Sequence, residues 1–324
     1  MNKKLKNTLM TILVVVLIAG SAVLGFFANR WFEETHEHTY SVLQYDETHH
    51  WKECTNELCS HKAEIEEHID EDENDICDKC NYGATAMVNG VNYTSIQDAI
   101  DASSDAVTIT LYKDVVSGGL KTEDTKEITL DLNGYTLFVS DPLVGSAGTQ
   151  TLGFQFLKGS KVTIKNGTIK RVGPAKMLIQ NYSDLTLENV TIDAKSDTIE
   201  TPCYYALSNN CGTIVIKGNT NIIADEGQVA FDLWYGMYSV YDEGVYVTFD
   251  ETFTGRVEGK IEYGAARDVD GWKSKTVLTI KGGDFSDATF VASSTYSSVE
   301  DANIVLPEGK TLVEIENSDV FVIA

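Results

Sequence analysis

Six short apolar runs recur along the C-terminal two-thirds of the chain and constrain its fold more than any other feature. They are ITLDLNGYTL (128–137), VTIKNGTI (162–169), LTLENVTI (185–192), IVIKGNTNI (214–222), VTFDETF (247–253) and LTIKGGDF (278–285). Alignment places one hydrophobic triplet in each rung, with intervals from Ile164 to Leu187, Ile216, Phe249 and Ile280 of 23, 29, 33 and 31 residues. A coil of about twenty residues with insertions at one corner accounts for that spacing. Asn133, Asn166 and Asn189 occupy the same place in three rungs, just after the inward-facing positions. Asparagine tolerates left-handed turn geometry and bonds to neighbouring backbone, so these side chains are expected to stack at one corner.

Ahead of the runs, VNGVNYTSIQDAIDAS (88–103) offers Thr94 or Ser95 as the cap of a helix whose Ile96, Ala99 and Ile100 form one apolar face. The strand AVTITLYKDV (106–115) follows it. A stacked fold needs such an element over its first coil, where core and strand edges would otherwise be exposed. Over roughly residues 88–324 this pattern resembles the right-handed, single-stranded parallel β-helix of the pectin-lyase-like superfamily. The resemblance implies an all-β fold; a β-sandwich or jelly roll is the alternative for the same strands.

All six histidines and four of the six cysteines fall between His36 and Cys80. The order His36, His38, His49, His50, Cys54, Cys59, His61, His68, Cys77, Cys80 reads as two half-repeats, each with a cysteine pair. Imidazoles and thiolates at short spacing suit tetrahedral zinc. Cys54, Cys59, Cys77 and Cys80 are the expected ligands, with His68 and either His38 or His50 completing one site or two. Two disulfides are the alternative, since about fifty residues with few aliphatic side chains need a staple of some kind. The segment resembles a small His/Cys repeat of surface and secreted proteins of anaerobic bacteria, with HWxxC pieces alternating with HxDxDxDGxCDxCG pieces. Asp75 and Asn81 stand where that pattern has glycine. Asp70, Asp72 and Asn74 imitate the first ligands of a calcium loop, although the turn glycine and the closing glutamate are missing.

Lys3, Lys4 and Lys6 precede an apolar core from Leu9 to Phe27, 19 residues long. That length favours a retained signal anchor over a cleaved signal peptide, with the rest of the chain outside the membrane or secreted. The expected division is 1–34 for this segment, 35–86 for the Cys/His module and 87–324 for the β-helix. Charge divides as +2, −11 and −15 over those parts, making up the net −24. A surface so acidic repels nucleic acid. Cys203 and Cys211 either close a short loop as a disulfide or remain unpaired thiols.

Many β-helix relatives cleave acidic polysaccharides, but the residues argue against carrying that activity over. No histidine lies beyond His68, and Arg171, Arg256 and Arg267 sit in no recognisable catalytic setting. The segment 231–251, with Trp234, Tyr235, Tyr238, Tyr241 and Asp242, together with Trp272, reads as an insertion able to stack on sugar rings. The same aromatics have an alternative role in packing against the wall of the fold. The expected function is non-catalytic binding or adhesion at a bacterial surface, to a glycan or an envelope protein. The alternative is a polysaccharide lyase or glycoside hydrolase acting on extracellular glycans.

Overall fold

The computed structural model describes residues 36–324 except Leu58, 104–105, Asp124, Ala147, 197–198, 237–242, 267–270, 294–297, Asp301 and Asn317. The apolar N-terminal segment therefore lies outside the described residues, and among these no helix is long and apolar enough to cross a membrane. The chain divides into two compact units, Met1–Gly83 and Ala84–Ala324.

In the first unit, strands Tyr40–Tyr45, His49–Cys54 and Lys62–Glu67 form an antiparallel sheet with His49–Cys54 in the middle. The pairing of the second and third strands shifts between His50 and Lys52, where Glu64 on the third strand takes a φ of 53°. This is the bend of a β-bulge. Among the described residues of this unit the buried hydrophobic ones are Trp51, Cys54, Ile76 and Cys77. Two of the four are cysteines, so apolar burial alone is a meagre source of stability here.

The second unit is almost entirely β and is built from three parallel ladders. The first stacks Val107–Leu111, Glu127–Asp131, the opening halves of Lys161–Arg171 and Asp184–Asp193, then Gly212–Lys217, Val245–Phe249, Thr276–Ile280 and Asn303–Val305. Its register joins Ile109, Leu130, Ile164, Leu187, Ile216, Phe249 and Ile280 in one column. The intervals expected from the repeated triplets are thus the register of this ladder. A second ladder aligns Val115, Leu137, Ile169, Ile192, Ile222 and Val257. A third aligns Leu120, Phe154, Ile179, Leu207, Phe231, Ile261 and Phe290. Every member of the three columns is buried. Each contributes about 1.5–3 kcal/mol of burial, so stability is spread along the stack, circuit by circuit. All pairings between the strands from Val107 to Val305 are parallel, which a sandwich or jelly roll would not produce.

The turn after the first ladder explains the recurring asparagines. Asn133, Asn166 and Asn189 have φ of 52°, 59° and 52°. Asn133 Nδ2 donates to the Leu111 carbonyl (3.1 Å), Asn166 Nδ2 to Asp131 Oδ1 (3.1 Å), and Asn189 Oδ1 accepts from the Asn219 N–H (2.9 Å). Each of the three side chains bonds to a neighbouring circuit, Asn133 and Asn189 through its backbone, as expected from the sequence, and Asn166 through the Asp131 carboxylate.

Antiparallel strands close both ends. Ala86–Val88 pairs with Val107–Leu111, and beside it the helix Ile96–Ala102 buries Ile96, Ala99 and Ile100. Ser95 caps that helix, its side chain accepting from the Asp98 N–H. Lys126 Nζ donates to the carbonyls of Ile100 and Ser103 at the helix C-terminus, where the backbone dipole favours a cation. At the other end Val320–Ile323 pairs with Asp284–Ala292, setting Phe321 opposite Phe290.

Candidate functional site

Strand alternation decides what the first unit can bind. On the central strand His50 and Cys54 point to one face and are buried, while Trp51 occupies the other face beneath the Lys62 ammonium, 3.5 Å from its ring. The four-residue step from His50 to Cys54 spans ~13 Å, too far for one ion. Each therefore serves a different centre. His36, His38, Cys54 and Cys59 bring their donor atoms within 4.8 Å of one another, and so do His50, His68, Cys77 and Cys80.

Both groups fit a tetrahedral metal. With bonds of about 2.0 Å to nitrogen and 2.3 Å to sulfur, neighbouring donors should stand roughly 3.5 Å apart. The N···S separations are 3.3 Å for His36 Nε2–Cys54 Sγ, 3.6 Å for His38 Nδ1–Cys59 Sγ, 3.8 Å for His50 Nδ1–Cys77 Sγ and 3.4 Å for His68 Nδ1–Cys80 Sγ. Two thiolates balance the charge of a divalent ion, and the set is compatible with zinc. All six cysteines are free, so neither the disulfide alternative for residues 54–80 nor a Cys203–Cys211 bridge is formed.

Surrounding groups orient the ligands. His68 Nε2 lies 2.9 Å from the Asp46 carbonyl, which can only accept, so Nε2 carries the hydrogen and Nδ1 offers its lone pair toward Cys80. The His68 ring is stacked on Tyr82 at 4.2 Å. His50 Nε2 lies 3.6 Å from Glu66 Oε2, and Glu66 also pairs with Lys79. The contact with His36, reinforced by the Asn56 backbone, holds the Cys54 thiol down to about 6. Burial raises Cys77, but backbone hydrogen bonds from Cys80, Ile69 and Lys79 outweigh it and bring that thiol to about 6. Burial, with the Cys77 sulfur beside it, raises Cys80 to about 11.

The loop between His68 and Cys77 is shaped by its acids. Asp70 accepts from the N–H groups of Asn74 (3.0 Å) and Asp75 (2.9 Å), and Asn74 Oδ1 accepts from the Ile76 N–H (2.8 Å). Asp70 and Asp72 join no group of three converging His, Cys, Asp or Glu side chains among the described residues. Asp75 and Asn81, which replace the glycines of the repeat pattern, have φ of 64° and 58°. The positions keep their left-handed geometry, and Asp and Asn are the residues other than glycine that best tolerate it. Gly83 has no such latitude, since a Cβ there would lie 2.1 Å from the Asp75 carbonyl oxygen.

His36 was not among the expected ligands; its spacing from His38, two residues on, was the available signal. His61 stays outside both groups, with its Nδ1 3.2 Å from the Tyr40 hydroxyl.

The aromatic candidates of the second unit fare differently. Residues 231–235 belong to the strand Val229–Tyr235 of the third ladder, where sequence suggested an insertion. Phe231, Leu233 and Tyr235 are buried. Trp272 is also buried, 5.4 Å from the Tyr263 ring. Tyr235 and Trp272 therefore present no ring face to a ligand. Tyr238, Tyr241 and Asp242 lie outside the described residues. Trp234 is half-buried and lines a shallow cleft of ≈ 290 Å³ with Tyr205, Asp232 and Glu262.

Asp232 stands opposite Glu262 in register. Its Oδ1 accepts from the Asn209 N–H (2.5 Å), its Oδ2 from the Ser208 hydroxyl (3.2 Å), and Glu262 Oε2 accepts from the Tyr205 hydroxyl (3.3 Å). Burial, aided by the Glu262 charge, raises Asp232 to about 8, so its carboxyl is largely protonated at neutral pH. Burial also raises Glu262, and burial with both neighbouring carboxylates raises Tyr205. No family model, no curated protein and no solved structure matches this chain.

Proposed function

We propose that this chain is a non-catalytic binding protein of a bacterial surface, anchored through its apolar N-terminal segment or secreted. In this reading the second unit is a right-handed parallel β-helix of the pectin-lyase-like kind, and the first is a spacer stapled by two zinc ions. The partner is an extracellular glycan or an envelope component. One observation carries the binding reading: Gln155, Gln180, Ser208, Asp232 and Glu262 follow one another in register on successive circuits of the third ladder, with Gln180 and Glu262 partly exposed and the other three buried beside them. Gln155 Nε2 donates to Gln180 Oε1 at 3.2 Å, and Ser208 donates to Asp232 at 3.2 Å, so the column forms a row of hydrogen-bonding groups. Such a row, repeating every ~4.8 Å, suits a long hydroxylated chain laid along it.

The competing reading, a glycoside hydrolase or polysaccharide lyase, would draw on the paired carboxyls Asp232 and Glu262. Incubating the full-length protein with immobilised and soluble glycans separates the two. Retention without new reducing or unsaturated ends is the expected result. Release of such ends, abolished by Glu262→Gln, would make the protein an enzyme.

A further inference from the structure

The geometry points to the cleft bounded by Tyr205, Asp232, Trp234 and Glu262 as a subsite for one uncharged sugar ring, closed to uronic acids and other anionic residues. This inference rests on the binding reading above and gives it a place and a ligand class.

Size comes first. At ≈ 290 Å³ the cleft lies at the lower end of ligand sites, which run from about 300 to 1,000 Å³. It suits a single ring of a longer chain continuing along the column of Gln155 and Gln180. Its polar lining is uncommonly complete for a surface cleft: Gln180, Ser208 and Asn210 supply amides and hydroxyls beside the two carboxyls. Trp234 adds an aromatic surface on which the C–H face of a sugar can rest.

One donor is left over. Among the described residues Ser293 Oγ is buried without a hydrogen-bond partner, and it belongs to the same cleft. Buried polar atoms are nearly always paired, so this hydroxyl marks a bond that an occupant would complete. Asp232, only 5% exposed, already has both oxygens bonded to Asn209 and Ser208, so its position is fixed before anything binds. Preorganisation of this kind lowers the ordering cost of association.

Charge selects the ligand. Among the described residues no lysine or arginine lines the cleft, Glu262 contributes a carboxylate, and the whole chain carries a net charge of −24. A uronate or sulfated ring would meet the Glu262 carboxylate, whose counter-charge is Lys260 from outside the cleft lining, whereas sugar hydroxyls can donate to Glu262 and accept from Ser293 and Gln180. A protonated amino sugar would be drawn to Glu262 but would face Asp232 in its neutral form, so the cleft discriminates against anions more strongly than it rewards cations.

The test uses the full-length protein, with cellopentaose, laminaripentaose and mannopentaose as neutral probes, pentagalacturonate as the anion and a glucosamine pentamer as the cation. Titration calorimetry is paired with tryptophan fluorescence. At least one neutral pentasaccharide should bind 10-fold or more tightly than pentagalacturonate. Trp234→Ala should weaken it at least 10-fold, and Ser293→Ala, which removes the hydroxyl and adds no bulk, about 5-fold. Neutral binding that survives both substitutions would place the glycan elsewhere and overturn the inference while leaving the binding reading intact. Tightest binding of pentagalacturonate or of the glucosamine pentamer would overturn it as well. Failure to retain any of these probes or any glycan would remove both.

Discussion

Asn209 donates two hydrogen bonds to Asp232 across adjacent circuits, one from its backbone and one from its side chain. The Asn209 N–H donates to Asp232 Oδ1 at 2.5 Å, and Asn209 Nδ2 donates to the Asp232 carbonyl at 3.1 Å. The bond to Oδ1 favours the ionised carboxyl, but burial outweighs it, with consequences for stability.

With Asp232 raised to about 8 from 3.8, the folded protein keeps a proton that the unfolded chain sheds. The associated stability is complete below pH ~4 and is lost as pH rises from about 4 to 8, at roughly 1.4 kcal/mol per pH unit. Asp232→Asn removes this contribution to the slope, while Glu262, raised in the same direction, retains its own. Urea unfolding at pH 5, 6.5 and 8 should show the variant gaining on the parent toward pH 8. Parallel pH profiles would mean that the Asp232 carboxyl is ionised throughout.

Two zinc ions per chain are expected from elemental analysis. Cys54→Ser and Cys77→Ser should each reduce the content by at least one. Chelation should abolish amide protection over residues 40–82 while the ladders between Val107 and Val305 keep theirs, because each circuit is stabilised by its neighbours. Hydrogen exchange reads both regions at once; loss of protection in the ladders would make the two units interdependent.

Glu66 touches no metal in this arrangement but receives His50 Nε2. Glu66→Gln keeps the side-chain shape and loses the charge that strengthens His50 as a donor. Outer partners of this kind are worth about 10–100-fold in metal affinity. Competition with a chromophoric chelator should show one of the two ions weakened by that factor and the other unmoved.

Gly218 has a φ of 62°, and a Cβ there would stand 2.2 Å from Asn189 Oδ1. Gly218→Ala should therefore destabilise the second unit by about 1–3 kcal/mol, combining backbone strain with a clash. Adding Asn189→Ala should recover the clash but not the strain. Additive losses in the double variant would show that the two side chains do not meet.

Much of the architecture was legible because parallel stacking imposes a local rule. The triplets ending at Ile164, Leu187, Ile216, Phe249 and Ile280 had to place equivalent residues on the same face, and the ladder joins those residues. The Cys/His module was legible from its chemistry, while the choice of histidines was not. His36 and His50 reach their sulfurs from 18 and 27 residues away, distances fixed by sheet pairing rather than by spacing. In Phe231–Tyr235 the density of aromatics masked a strand buried at every position but Trp234. Asp232 and Glu262 stand thirty positions apart in sequence. Their meeting depends on the length of one circuit, which varies through the chain and is set by loops whose length carries no pattern.

The central strand of the first unit sends His50 to one centre and Cys54 to the other. A single-residue slip of that strand would turn both donors to the opposite face together. Neither ion could then compensate for the loss of the other, and no partly loaded, misaligned sheet could persist as a stable trap. The paired centres act as a proofreading device, accepting only the correct alignment and rewarding it twice.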